Sequence, residues 1–490
     1  MLIFLLLLAW PAAGTVLDGI VLENLSGRPV ARARVSLEAI QGGAAVSVGS
    51  ILTDSGGRFS FRSLGAGAYL LSAGRGGYAI AKHGQKRWNG PGAPIVLGAA
   101  GQFFAELRLP RLGAIGGLVL DENHLGLANH PVYAYRAGEQ PLRMVASGVS
   151  DDRGVFRIAG LEPGRYYART GPRQLEGGRS LLPTFFGQST ALAEAKQVEV
   201  ELDREAGGID IEPLPGRLGR LVGRVLGGVP ATVELYSDTG KREAQVPADG
   251  SFDFDQLGPG DYHILALAGA AQPRAAWRRL RLGEGTTETS LPLGRLPTVR
   301  VRSEEKSGRP IDPRRVTVFL RRTQPPVENS VLVQGGETAA LPPGEYQAAA
   351  VAPPEFYIDS FRMPRSSRRP NEFEAAPFDA LELTVILSAD PAILRGRVLA
   401  ADGKPVPGAP VFLNAIDPEL RGRLAGGRSL RADQNGEYRF YGLPPGRYAL
   451  FSSFEIPQPQ EAEWGTLAVS TIELEPNRQV TLDLKLIGGM

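Results

Sequence analysis

One block of residues, written four times without a gap, limits what this chain can fold into more than any other feature. Gly57-Arg58-Phe59-Ser60-Phe61 runs to Leu64 and then to Gly67-Ala68-Tyr69. The same spacing joins Gly154, Phe156 and Ile158 to Leu161, Gly164 and Tyr166, and it joins Gly250, Phe252 and Phe254 to Leu257, Gly260 and Tyr262. It returns as Gly436, Tyr438 and Phe440 with Leu443, Gly446 and Tyr448. A further copy keeps only the second half, Leu341-Pro342-Pro343-Gly344-Glu345-Tyr346, and carries Gly336 and Thr338 in place of the alternating pair, so its first hairpin is expected to be altered. The corner glycines Gly67, Gly164, Gly260, Gly344 and Gly446 stand 97, 96, 84 and 102 residues apart. That is domain spacing, since solenoid repeats run at roughly 20–50 residues.

The block reads as two neighbouring strands and their bend. Asp54 to Gly57, Asp151 to Gly154, Ala248 to Gly250 and Asp433 to Gly436 offer the positive-φ residues of a tight turn. Strict alternation then puts Phe59 and Phe61, or Tyr438 and Phe440, on one buried face. At the corner the Tyr ring can pack inward while its hydroxyl reaches backbone. Upstream, Gly27-Arg28-Pro29-Val30 precedes Ala33, Val35 and Leu37, and Gly403-Lys404-Pro405-Val406 precedes Ala409, Val411 and Leu413. Gly308-Arg309-Pro310-Ile311 leads likewise to Val316, Val318 and Leu320, and alternating closing strands recur at 103–109, 198–202, 286–293, 381–387 and 480–486. Six or seven strands in about 90 residues is the size of a two-sheet sandwich. The expected fold is all-β, a tandem array of about five antiparallel seven-stranded Greek-key β-sandwiches at 15–112, 113–216, 217–295, 296–391 (divergent) and 392–490. Short linkers are expected at Arg111 to Ala114 and Leu214 to Gly219, and Ala191 to Gln197 allows at most a turn or two of helix.

Leu2 to Trp10 are continuously apolar and lead into Pro11-Ala12-Ala13-Gly14, which predicts a signal peptide over 1–14 cleaved before Thr15. The expected location is periplasmic, cell-surface or secreted. Cys is absent, so disulfides, thiol catalysis, lipid anchoring and thiolate metal sites are excluded. The remaining chain has no apolar run near the roughly 18 residues of a membrane helix. With 54 Lys+Arg against 52 Asp+Glu, charge gives no reason to expect nucleic acid.

These residues resemble the carboxypeptidase regulatory-like family, a prealbumin-like sandwich grouped with carbohydrate-binding-like folds. The motifs that carry the resemblance are Gly396 to Leu399, Gly403 to Val406, and Asp433 to Tyr448 with its Leu-Pro-Pro-Gly corner. The last copy matches best and the first two match well; the third lacks the Gly-x-Pro-Val element and the fourth has lost the aromatic hairpin. The resemblance implies modules that accompany a peptidase, an outer-membrane transport protein or a sugar-active enzyme, and it specifies fold more closely than function.

No catalytic constellation emerges. The four His, His83, His124, His130 and His263, have no Glu or Asp three residues on, so a zinc carboxypeptidase centre is not expected. His124 and His130 flank a Gly-containing turn and read as surface loop. Gly187-Gln188-Ser189 fails as a nucleophile elbow, and Gly403-Lys404-Pro405 is a hairpin rather than a phosphate loop. Asp433 to Glu437 resembles the start of a calcium loop but lacks the closing acid. With seven Lys, none in the opening strands at 19–22, 117–120 and 223–226, internal Lys–Asn crosslinks of the collagen-adhesin kind are not expected. Arg362 to Arg369, with Arg365, Arg368 and Arg369, is the most basic run and reads as a solvated loop. The expectation is therefore no catalytic residues, no metal and no cofactor.

After each corner, however, stands an aromatic in a Gly- or Pro-containing segment: Trp88, Phe185 with Phe186, Trp277, Phe356 with Tyr357, and Trp464. Aromatic faces in loops can stack on sugar rings. Equally, they can plug the open edge of each sandwich. The sequence reading is an exported, non-enzymatic multi-module protein with Trp88, Phe185, Phe186, Trp277, Tyr357 and Trp464 as candidate carbohydrate-binding positions. Its partner is then an extracellular carbohydrate or an envelope protein, and the alternative is a structural spacer or protein-interaction stalk.

Overall fold

The computed structural model describes residues 14–41, 44–138, 142–363, 371–424, 427–454, 464 and 469–487, without the side chains of 326–329, 422 and 423. Apart from Gly14, the predicted signal peptide lies outside these residues, as do Arg365, Arg368 and Arg369.

Each copy of the block builds two facing sheets. In the first copy Thr15–Glu23 is central to one sheet, between Arg58–Leu64 and Gln102–Leu109; Arg34–Gln41 and Gly67–Gly74 pair in the other, with Ala44–Leu52 at its edge. The order recurs as Gly113–Leu118 between Val155–Leu161 and Glu205–Ala206, and as Gly219–Leu226 between Ser251–Leu257 and Gly285–Pro292. Thr298–Glu305 lies between Thr338–Ala340 and Ala380–Ser388, and Ala392–Leu399 between Glu437–Leu443 and Gln479–Thr481. The chain is all-β, and the described helices are short: one α-helical turn and a half at Pro418–Arg423 and three 3-10 turns, of which Leu192–Glu194 lies in the segment expected to turn.

One ladder departs from the antiparallel expectation. Opening and closing strands of a copy run parallel: Val16 faces Gln102, Gly219 faces Gly285, Thr298 faces Ala380 and Ile393 faces Gln479. Parallel neighbours need a long crossover, and here the rest of the sandwich supplies it.

The repeat's turn and corner act as its spacing implied. Asp54, Asp151 and Asp433 each accept two backbone N–H groups through Oδ1, from Gly56 and Arg58, Arg153 and Val155, and Asn435 and Glu437. The suspected calcium carboxylate is thus a turn acceptor. In four of the copies the corner Tyr hydroxyl donates to the carbonyl four residues back: Tyr69 to Gly65, Tyr166 to Glu162, Tyr262 to Gly258 and Tyr346 to Pro342, at 2.9, 2.6, 2.8 and 2.6 Å. The opening-strand glycine has a steric reason: a Cβ on Gly19 would stand 2.3 Å from the Phe59 ring, and one on Gly223 would stand 2.6 Å from Phe252. Glycine there lets the hairpin aromatic lie directly over the backbone.

Separate apolar interiors follow. Leu17, Val21, Val35, Leu37, Phe61 and Leu71 fill the first copy, and Ile115, Val132, Phe156, Ile158 and Tyr166 the second. Leu221, Val233, Phe254 and Ile264 fill the third, and Val299, Val318, Leu320, Tyr346 and Phe373 the fourth. The supposed linkers are bound into structure: Arg111 bridges Tyr78, and Pro215–Gly216 pairs with Ser180–Leu181 in a small extra sheet. Backbone polar groups at a junction gain more from pairing than from a free tether.

The copies group into two compact units. One combines the first and fifth copies; the other holds the second, third and fourth. In the first unit Arg431 donates from Nη2 to the Pro91 carbonyl at 3.3 Å, and Gly408 abuts Ile40 so closely that a Cβ would stand 2.2 Å from its Cδ1. In the second, Leu142 N–H donates to the Asp238 carbonyl at 2.8 Å, and Arg279 pairs with Glu345.

Candidate functional site

The six candidate aromatics pack mostly within their own copies. Trp88 is half-buried in a turn that Lys82 braces by donating from Nζ to the Gly90 carbonyl at 2.9 Å. Phe185 is buried edge-on to Tyr167, with ring centroids 6.1 Å apart, and Phe186 packs on the second core. Trp277 lies within strand Arg274–Leu282 rather than in a loop, stacked on His263 at 6.2 Å with 7° between the planes; its indole N–H has no hydrogen-bond partner among the described residues. Tyr357 is buried at the start of strand Tyr357–Arg362. Trp464 meets Phe451 edge-on at 5.3 Å.

The histidines do not converge. His124 Nδ1 lies 3.0 Å from Glu212 Oε1 at the surface. His130, expected in a surface loop, is instead wholly buried, with Nε2 3.0 Å from the Gly171 carbonyl. It takes the place that Ala33 has in the first copy. His130 N–H donates to Ser150 Oγ, which donates to the Leu127 carbonyl, just as Ala33 N–H donates to Thr53 Oγ1, which donates to the Val30 carbonyl. Burial pushes the His130 imidazole down to about 4. No group of three His, Asp or Glu among the described residues is placed to hold a metal.

A site the sequence reading missed lies in the second unit. The second, third and fourth copies enclose a cleft of about 1280 Å³ whose lining includes Tyr133, Arg169, Lys241, Arg242, Tyr262 and Arg322. Strand Thr317–Gln324 alternates Val318, Leu320, Arg322 on its buried side, so an arginine ends an inward apolar series. Arg322 donates from Nη2 to the Tyr236 hydroxyl at 3.2 Å and lies 5.8 Å from the ring centroid; its Nε and Nη1 have no hydrogen-bond partner among the described residues. Arg169 donates from Nη1 to Thr239 Oγ1 at 2.7 Å and lies 4.9 Å from the Phe185 centroid, with its Nε likewise unpartnered among the described residues. Tyr236 in turn donates to Glu234 Oε2 at 2.6 Å, and Glu234 also pairs with Lys241 at 2.6 Å. Burial, with that bond second, pushes the Tyr236 phenol up to about 12. The signal was the parity of Arg322, which a search for catalytic motifs passes over.

Residues 16–89 and 393–487 match the carboxypeptidase regulatory-like domain. The chain contains two carboxypeptidase regulatory-like domains. These regulatory-like domains are the first and fifth copies, the pair that shares one compact unit and both Gly-x-Pro-Val hairpins. The second copy lies outside the matched residues although its hairpin block is complete; it lacks Gly-x-Pro-Val. No curated protein matches the chain. Among solved structures it is similar to the Bacillus anthracis TIE protein at 13% identity, covering 73% of this chain and 68% of that one, with a TM-score of 0.16. It is similar to the minor pilin GBS52 of Streptococcus agalactiae at 14% identity over 41% of this chain and 98% of that one, TM-score 0.26. It is similar to the RrgB pilus protein of Streptococcus pneumoniae at 9% identity over 98% and 99%, TM-score 0.16. No helix among the described residues is long and apolar enough to cross a membrane.

Proposed function

We propose that the chain is an exported, non-enzymatic scaffold whose five sandwich modules serve as spacers and protein-interaction surfaces at the cell envelope. The observation that supports this reading best is the packing of the aromatics after each corner: Phe185 and Tyr357 are buried, and Trp277 and Trp464 lie against rings of their own copies. Side chains spent on closing a sandwich are not available as a sugar-stacking platform. Carbohydrate recognition through these positions is the second reading, favoured by the half-buried Trp88 and by the unpartnered indole N–H of Trp277.

Glycan-array binding by the native chain and by a Trp88→Ala, Trp277→Ala, Trp464→Ala variant separates the two. The scaffold reading expects no glycan whose retention depends on those three side chains. A glycan bound by the native chain and lost by the variant, with folding intact by circular dichroism, overturns it.

A further inference from the structure

The cleft in the second unit holds one buried cation, Arg322, whose hydrogen-bonding capacity its surroundings do not fill. Arg322 is 4% exposed, yet two of its three guanidinium nitrogens lack a hydrogen-bond partner among the described residues. Withdrawing a guanidinium from water is costly, and the usual compensation is a carboxylate with good geometry. Among the described residues no carboxylate pairs directly with Arg322, which Glu234 reaches only through the Tyr236 hydroxyl; Arg169 lies in the field of Asp238 and bonds Tyr135. The lining adds Lys241, which pairs with Glu234 and Glu243, Arg242, which engages Asp255 at 3.4 Å, and the exposed Arg321.

Shape and composition narrow the ligand. A volume of about 1280 Å³ exceeds the roughly 300–1,000 Å³ of a typical small-molecule pocket, so the cleft is too large for a single inorganic anion. Half-buried Tyr133 presents ring surface beside the cations, which suits a ligand with apolar C–H faces as well as charge. A long polyphosphate backbone would call for a broad basic field, and the formal net charge of +2 supplies none. We infer that this cleft binds an acidic oligosaccharide, a short run of sugar rings bearing carboxylate or sulfate groups. Arg322 and Arg169 take the anionic groups, and Tyr133 meets a sugar face. This goes beyond the scaffold reading, which requires no small ligand.

Isothermal titration of the full chain tests it with trigalacturonate, a sulfated heparin hexasaccharide, neutral maltohexaose, inorganic sulfate and a ten-residue oligothymidylate as probes. At least one acidic saccharide is expected to bind and to weaken with added salt, while maltohexaose and sulfate do not bind. Arg322→Gln should weaken that binding roughly tenfold or more, with Arg322→Lys in between. Should Arg322→Gln fail to fold, the exposed pair Arg321→Gln and Arg242→Gln at the rim is expected to weaken binding at least about threefold. Arg153→Gln, outside the cleft, leaves binding unchanged. The inference is overturned by no binding of either acidic saccharide, by equal binding of maltohexaose or sulfate, by tighter binding of the oligonucleotide, or by binding that neither the Arg322 nor the rim variants alter.

Discussion

In the first copy Gly19 has no side chain and the Phe59 ring lies over it; in the fourth, Val301 fills that place itself and the facing strand shrinks to Thr338–Ala340, with no ring at all. The two positions correspond because each lies two residues before the carbonyl that accepts the next hairpin's N–H, Val21 from Val30 and Ser303 from Ile311. The fourth copy recovers the lost aromatic volume elsewhere. Phe373 stacks on the corner Tyr346 at 5.5 Å and 17°, and strand Tyr357–Arg362 joins the first sheet beside Ala380–Ser388, bringing Ile358 into the core. A sandwich interior must be filled to native density, but which strand fills it is negotiable.

If Phe373 replaces the hairpin pair, Phe373→Ala is expected to cost the fourth copy about 3–5 kcal/mol, as Phe61→Ala costs the first. Local hydrogen exchange checks this, since a multi-module chain has no single unfolding free energy. Gly19→Val is expected to cost about 3 kcal/mol, because the new side chain meets both the Phe59 ring and the Ala105 carbonyl. Adding Phe59→Ala should return part of that loss, bringing the first copy closer to the fourth, and strictly additive losses would break the correspondence.

A smaller difference separates the first copy from the second, where His130 replaces Ala33. His130 is held near 4 when folded, against about 6.5 when unfolded, so the unfolded state binds the extra proton between those values. Stability is therefore full above about 6.5 and falls as pH drops toward about 4, by on the order of 2–3 kcal/mol. Thermal scans from pH 7.5 to 4 should show this for the native chain and a flatter profile for His130→Gln. Least of all, Tyr69→Phe and Tyr346→Phe should each cost about 1 kcal/mol, the worth of one hydroxyl donated at the corner, and the two losses should agree.

Much of this architecture was legible because period-two alternation and invariant turn spacing are local signals. Phe59, Phe61, the Asp turns and the corner tyrosines declared their places directly. The parallel ladder between first and last strands was not legible, since neither alternation nor turn chemistry records which distant strand lies alongside. His130 was misplaced because its neighbours Asn129 and Gly126 mark a turn, while the Ser150 hydroxyl that draws its backbone inward is 20 residues away. The Arg322 cleft needs three copies to exist, so no single motif announces it. Trp277 read as a loop residue, yet its strand pairs along the whole of Gly260–Ala268.

Hydrogen exchange over the full chain, native against Phe373→Ala, tests most directly whether every copy encloses its own interior. The account predicts accelerated exchange within 298–388 and unchanged protection in 15–23, 58–74 and 102–109. Equal acceleration across both regions would mean one shared core, and would contradict it.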